Sequence, residues 1–273
     1  MKPTWIVPGL VLSAVVLATA GAAQAQPQPR GHLVVVGGGG VPDVIMKRAL
    51  ELAGGPAAPM VIFPQASELP DTGDVAVDMW KKAGATNVRW MPLADAQAAR
   101  QAVESAAFIW FPGGDQAKLM KAFEGTGVPE VIARRYREGA VVGGTSAGAA
   151  VLSSVMLTGD ADLQSITVGA TKTAPGLGLW PEVIVDQHHL KRQRQSRLIS
   201  LVLDHPTLVG VGIDERTAAV VSGPRFEVIG ESSVLVIDAR RAKVEPRAPG
   251  TLSAARDITV HVLTSGMGME IRD

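Results

Sequence analysis

Ser146 stands in VVGGTSAGAAVLSS, residues 141–154, where an apolar run ends in glycine, presents one hydroxyl and resumes as small helix formers. Gly144, Ser146 and Gly148 give G-x-S-x-G, the pattern of a nucleophile on a sharp strand-to-helix turn. A chain with 30 glycines can produce that pattern by chance, so the reading depends on a base, an orienting acid and an oxyanion site elsewhere. The histidines are His32, His188, His189, His205 and His261. His32 opens a strand, His205 precedes a proline after a helix, and His261 lies within a late strand, so a structural role suits each of these three. In VIVDQHHLKRQRQSRLISLV, by contrast, an apolar strand ends abruptly in Asp186-Gln187-His188-His189 before a basic segment. Such a strand end is where a catalytic loop belongs, and it makes His188 the candidate base.

An acid must hold the imidazole in one tautomer and stabilise the imidazolium. VGVGIDERTAAVV places Asp214 and Glu215 between two apolar runs, and residue type leaves the choice between them open. The chain order serine, histidine, acid differs from the serine, acid, histidine order of α/β-hydrolases, which counts against a lipase or esterase. Backbone N–H groups of PGGDQ, at Gly113 and Gly114, and of Ala147 at the start of a helix are the candidate oxyanion donors.

These residues need a scaffold that gathers them at one rim. From residue 31 the chain alternates apolar runs (HLVVVGGGG, PMVIFPQAS, NVRWMPLA, AFIWFPGGD, GAVVGGTSAG) with helical stretches at 42–52, 73–84, 94–105, 115–124 and 128–138. Continuous apolar strands alternating with helices predict a doubly wound α/β fold, a mainly parallel sheet covered on both faces. Later runs joined by tight turns predict an antiparallel extension near the C-terminus. Polar loops at 37–40, 65–67, 112–116 and 143–148 all follow apolar runs, so they would meet beyond the carboxyl ends of the strands. GGGGVPD at 37–43 lacks a dinucleotide G-x-G-x-x-G, because Pro42 takes the third glycine's place; it reads as a turn serving packing and substrate approach.

Composition narrows the class further. With 26 basic and 26 acidic residues no overall field favours nucleic acid. Lys2, an apolar run from Trp5 to Ala23 and Ala23-Gln24-Ala25 predict a signal peptide over residues 1–25, then a linker at 26–30 and a single catalytic domain over 31–273. An uncleaved membrane anchor is the alternative for that segment. Cleavage after Ala25 would leave an exported, soluble chain of net charge −1, periplasmic or extracellular, with no stable membrane association. The chain has no cysteine, hence no disulfide and no thiolate nucleophile, and covalent catalysis must use oxygen or an amine. His188 and His189 are adjacent and diverge on any regular element, so neither a metal nor another cofactor is expected.

Taken together, FPGGDQ, GGTSAGA, DQHHLKRQRQSRL and GVGIDERTA, in this order and at these separations, resemble the cyanophycinase group of serine peptidases, relatives of peptidase E. The resemblance implies a class I glutamine-amidotransferase-like fold with serine at the elbow. It also implies hydrolysis of cyanophycin, a polyaspartate carrying arginine on its side chains, to β-aspartyl-arginine dipeptides. Matched position by position, Ser146 resembles the nucleophile, His188 the base and Glu215 the orienting acid. Gln116, Asp186, Gln187, Arg192, Arg194 and Arg197 resemble pocket residues, while His189 departs from the phenylalanine usual in the group. Guanidinium groups match carboxylates in planar forks, which suits a polyaspartate substrate, and Asp186 or another pocket carboxylate is a natural partner for the substrate's arginyl cation. Homodimers are common in the group. An aspartyl or isoaspartyl dipeptidase of the same fold is the nearest rival reading, and a catalytically silent secreted binding protein is a further one.

Overall fold

The computed structural model describes residues 28–159 and 163–271, together with Met1. Residues 2–27, which hold the rest of the expected signal segment and the first part of the expected linker, lie outside them. Short apolar-rich runs form β1 (His32–Val36), β2 (Met60–Ile62), β3 (Val88–Trp90), β4 (Phe108–Phe111) and β5 (Val141–Thr145). The intervening amphipathic stretches form α1 (Asp43–Leu52), α2 (Thr72–Lys82), α3 (Ala96–Ser105), α4 (Gln116–Phe123) and α5 (Val128–Glu138). Local signals set several helix starts: Asp95 accepts from Ala98 N at 2.9 Å, Asp115 accepts from Ala117 N at 2.7 Å, and Pro129 lies in the first turn of α5.

The five strands pair in parallel in the order β1-β5-β4-β2-β3, as strands linked by helical crossovers must. Because successive Cβ atoms alternate across a strand, Val34 and Val36 join Trp80, Phe108 and Trp110 on one face, and Leu33 and Val35 join Phe63, Ile109 and Phe111 on the other. Trp80 meets Phe108 and Trp110 edge to face, each at 5.0 Å between ring centroids.

Beyond β5 come α6 (Ala147–Ala150), the hairpin β6 (Val155–Leu157) and β7 (Thr173–Pro175), then β8 (Val183–Gln187), α7 (Gln195–Asp204) and β9 (Val209–Ile213). The chain closes with β10 (Thr217–Ser222), β11 (Arg225–Gly230), β12 (Ser233–Asp238), β13 (Lys243–Glu245), β14 (Ala254–Arg256), β15 (Thr259–Thr264) and β16 (Gly268–Glu270). Strands β10, β11 and β16 extend the large sheet antiparallel past β1, matching the expected extension. The other later runs, β9, β12 and β15, leave that extension and join β8 in a second sheet, β15-β12-β9-β8, in which β8 and β9 are parallel. Ser146 therefore follows a strand of one sheet and His188 a strand of the other, while Glu215 lies where the chain passes from β9 back to β10.

Steric crowding accounts for the glycines of the elbow. A Cβ on Gly148 would stand 2.0 Å from the Phe111 carbonyl oxygen, and one on Gly144 would stand 2.2 Å from that of Gly148. The small side chains thus let α6 press against the ends of β4 and β5. Replacing Gly148 by alanine is expected to cost about 1–3 kcal/mol through overpacking. Urea unfolding should show this as a lower midpoint at unchanged slope, and an unshifted midpoint would contradict the crowding argument.

Candidate active site

Ser146 turns off β5 at φ 55 and ψ −114, a region that residues with side chains rarely enter. Its N–H is anchored on Val36 O at 3.0 Å, and the turn lifts the hydroxyl clear of the sheet. Ser146 Oγ lies 2.9 Å from His188 Nε2, and His188 Nδ1 lies 2.7 Å from Glu215 Oε1. The carboxylate can only accept, so Nδ1 carries the proton and Nε2 is left to accept from the serine hydroxyl. Glu215, and not Asp214, therefore reaches the imidazole.

Asp214 holds the turn that carries the base. Its Oδ1 accepts from Leu190 N at 3.1 Å and Lys191 N at 2.8 Å, and its Oδ2 accepts from Ser232 Oγ at 2.8 Å. Burial alone would push this carboxyl up, but those hydrogen bonds outweigh burial and hold it below the ordinary aspartate range.

The glycine loop after β1 completes the alignment. His188 N donates to Gly37 O at 2.7 Å and Arg216 N donates to Gly38 O at 2.7 Å, so His188 and the residue after Glu215 hang from one loop. A Cβ on Gly38 would fall 2.3 Å from the His188 ring, and one on Gly39 would fall 2.6 Å from Glu215 Cβ. Gly38 and Gly39 have φ 105 and 68, a second reason for glycine there. The loop and its packing character are visible in the sequence, but its partners come from segments more than a hundred residues away.

Of the expected oxyanion donors, Gly113 lies against the nucleophile: a Cβ there would be 3.5 Å from Ser146 Cβ and 4.0 Å from its Oγ. Ala147 follows Ser146 directly, buried at the head of α6. Gly114, at φ 142, backs onto the Ala66 carbonyl, which also accepts from Asp115 N at 2.8 Å, and this fixes the PGGDQ loop.

The expected pocket residues divide. Arg192 is exposed, and Arg192 and Arg194 lie near enough to His188 for their charges to act on it. Arg194 Nη1 donates to Gln187 O at 2.8 Å and to Gln187 Oε1 at 2.5 Å, and Gln116 Nε2 donates to Leu157 O at 2.6 Å. Asp186 and Arg197 require correction, because both are buried and bind each other. The Arg197 Nε donates to Asp186 Oδ2 at 3.1 Å, its Nη2 donates to Oδ1, and His189 Nδ1 donates to Oδ2 at 3.1 Å. Burial would raise the Asp186 carboxyl, but the His189 and Arg197 hydrogen bonds and the Arg197 charge bring it below its usual range. With its oxygens engaged and no exposure, Asp186 does not meet a substrate cation, nor Arg197 a substrate carboxylate. The pair instead braces β8 and α7 on either side of the His188 turn. His189 lies flat on Gly212, where a Cβ would be 2.4 Å from the ring, so its departure from phenylalanine is felt beneath the site and not at its surface.

Burial lowers the His188 pKa most strongly, Glu215 opposes that, and the Arg192 and Arg194 charges lower it further. A lowered pKa keeps the base neutral down to more acid conditions, so the acid limb of kcat/KM should lie below pH 6.5. Arg192→Gln removes a cation and should move that limb up, whereas Glu215→Gln should move it down while lowering kcat by about two to four powers of ten. Movement in the opposite directions would refute this electrostatic assignment. Arg197→Ala leaves the Asp186 carboxylate buried without its cation and should cost about 3–5 kcal/mol of stability. Thermal unfolding at matched pH reads that loss, and a variant as stable as the parent would refute the brace.

The model of Peptidase family S51 matches residues 33–229. A cyanophycinase of Geminocystis herdmanii is 35% identical over 236 residues, 81% of this chain and 86% of that protein. One of Trichormus variabilis is 35% identical over 224 residues, 78% of this chain and 75% of that protein. Among solved structures, a peptidase from an acI-B1 actinobacterium superposes with a TM-score of 0.64 at 24% identity, covering 90% of this chain and 99% of the other. A putative peptidase E protein from Listeria monocytogenes gives 0.55 at 15% identity over 74% of this chain and 99% of that one. At those identities the two structures speak for the fold. A family match that runs from β1 into β11 spans Ser146, His188 and Glu215, and it makes this chain a member of peptidase family S51, a serine-type peptidase.

Proposed function

We propose that this chain hydrolyses cyanophycin, releasing β-aspartyl-arginine dipeptides through an acyl-enzyme on Ser146. The observation that carries the reading is the unbroken hydrogen-bonded chain from Ser146 through His188 to Glu215, in a protein 35% identical to cyanophycinases over most of its length. In the first step Ser146 Oγ attacks an aspartyl peptide carbonyl while His188 Nε2 takes the hydroxyl proton, and Glu215 stabilises the imidazolium. The carbonyl oxygen gains negative charge facing the backbone of Gly113 and Ala147. Collapse breaks the C–N bond, His188 returns the proton to the leaving amine, and an ester to Ser146 remains. Water, deprotonated by the same imidazole, then hydrolyses the ester and restores the serine hydroxyl.

Arg192 is the exposed cation best placed to meet substrate carboxylates beside the base. Arg194 supports that wall through Gln187, and Gln116 supports the opposite one through β6. Export fits the same reading, since a polymer outside the cell is reached by an enzyme that leaves it, and cleavage after Ala25 would start the mature chain at Gln26.

Purified enzyme should release β-aspartyl-arginine from cyanophycin and act far more slowly on unmodified polyaspartate. Ser146→Ala should abolish release without loss of fold. Arg192→Ala should lower kcat/KM on the polymer by about ten- to a hundred-fold, the effect of one charge-assisted hydrogen bond. Equal rates on both polymers would remove the cyanophycinase reading, and cleavage confined to short aspartyl peptides would establish a dipeptidase of the same fold.

A further inference from the structure

A cavity of about 520 Å³ lies at the end of the molecule away from Ser146. On β1, His32 pairs with Ser222, next to the Gly223 and Pro224 of the cavity wall, while Val36 at the other end pairs with Thr145 beside the nucleophile. On β8, Glu182 of the wall precedes the first residue and His188 follows the last. A five-residue strand thus separates the two places, about 13–17 Å at ordinary strand rise.

The lining has the make-up of a ligand site. Tyr136 and Trp180, each only 5% exposed, line the cavity, and neither the phenol hydroxyl nor the indole N–H bonds to another described residue. Burial, with the nearby Glu182 charge, pushes the Tyr136 phenol up to about 12, so it stays a neutral hydrogen-bond donor. Neither polar tip is among the buried side-chain atoms that lack a partner, so both open onto the cavity and stand ready to donate to a molecule that enters it. Around these donors stand the Arg137 guanidinium and the carboxylates of Glu182 and Glu270. The volume is within the range of small-molecule sites, and the opposite charges call for a ligand that is itself dipolar.

We propose that this cavity is a second binding site for a β-aspartyl-arginine unit, with its carboxylate toward Arg137, Tyr136 and Trp180 and its cationic end toward Glu182. The choice of ligand rests on the cyanophycin reading above. The unit can come from free product or from a stretch of polymer, and both present the same pairing of carboxylate and guanidinium. A site at the far end of β8 would keep polymer attached while its chain end is processed.

The test uses the full chain with Ser146 blocked by a small serine-reactive probe, titrated calorimetrically with synthetic β-aspartyl-arginine and, separately, with soluble polymer. At least one of the two should bind at one site per chain, and Arg137→Gln and Glu182→Gln should each weaken binding by about ten-fold or more. Both side chains are exposed, so the variants should keep the fold and the activity of unblocked enzyme on a short substrate. Binding of polymer but not dipeptide assigns the site to attachment, and binding of the dipeptide assigns it to product. Failure of both to bind, or binding indifferent to both substitutions, overturns the proposal. Parallel turnover assays separate the two readings: polymer cleavage without second-site binding removes this site alone, and binding without cleavage removes the proposed substrate alone.

Discussion

The site depends on backbone hydrogen bonds that tie two sheets to one glycine loop. Gly37 N donates to Thr217 O at 3.0 Å, His188 N donates to Gly37 O, and Arg216 N donates to Gly38 O. The first bond fixes the loop to β10 of the large sheet, and the second brings in the end of β8 from the small one. The third fixes the connection that bears Glu215. Only with all of them in place does an imidazole from one sheet meet a hydroxyl from the other at hydrogen-bond distance. The loop's glycines are the steric condition, since any Cβ on Gly38 or Gly39 would occupy the space of the base or the acid.

Strain and burial around that clasp explain why it stays in register. Ser146 and His188 both take positive φ, at 55 and 50, and such conformations persist only where surroundings over-determine them. For His188 the surroundings are Asp214 above the turn and the Asp186, Arg197 and His189 cluster below it. A buried ion pair of this kind adds little net stability, because desolvation offsets the attraction, but losing one partner is expensive. Its consequence is positional: β8 and α7 cannot shift relative to each other without stranding a charge.

Much of this was legible from residues 31–145, where apolar runs and amphipathic stretches alternate at spacings that only a parallel sheet with crossover helices satisfies. The elbow was legible as a pattern, and the resemblance named Glu215 where residue type had left Asp214 equal. What separates the two carboxylates is the turn between β9 and β10, which aims Asp214 at the Leu190–Lys191 backbone and Ser232 and aims Glu215 at His188. The second sheet was not legible, because VGVGI sits among the later runs joined by tight turns that predict an antiparallel extension, and an apolar run does not say which sheet receives it; β9 instead pairs parallel with β8. Nor was the burial of Asp186 and Arg197: in sequence they look like any carboxylate and guanidinium beside a pocket, and only the docking of α7 against β8 and β9 turns them toward each other.

The central claim is that the Gly37–Gly39 loop activates the serine by holding His188. The most direct measurement is the rate at which a serine-reactive probe labels Ser146 in Gly38→Ala, in His188→Ala and in the double variant. If the loop acts through the imidazole, both single variants should label at a similarly depressed rate, and the double variant should be no slower than either. Parent-like labelling of Gly38→Ala, or a double variant whose losses multiply, would contradict the account.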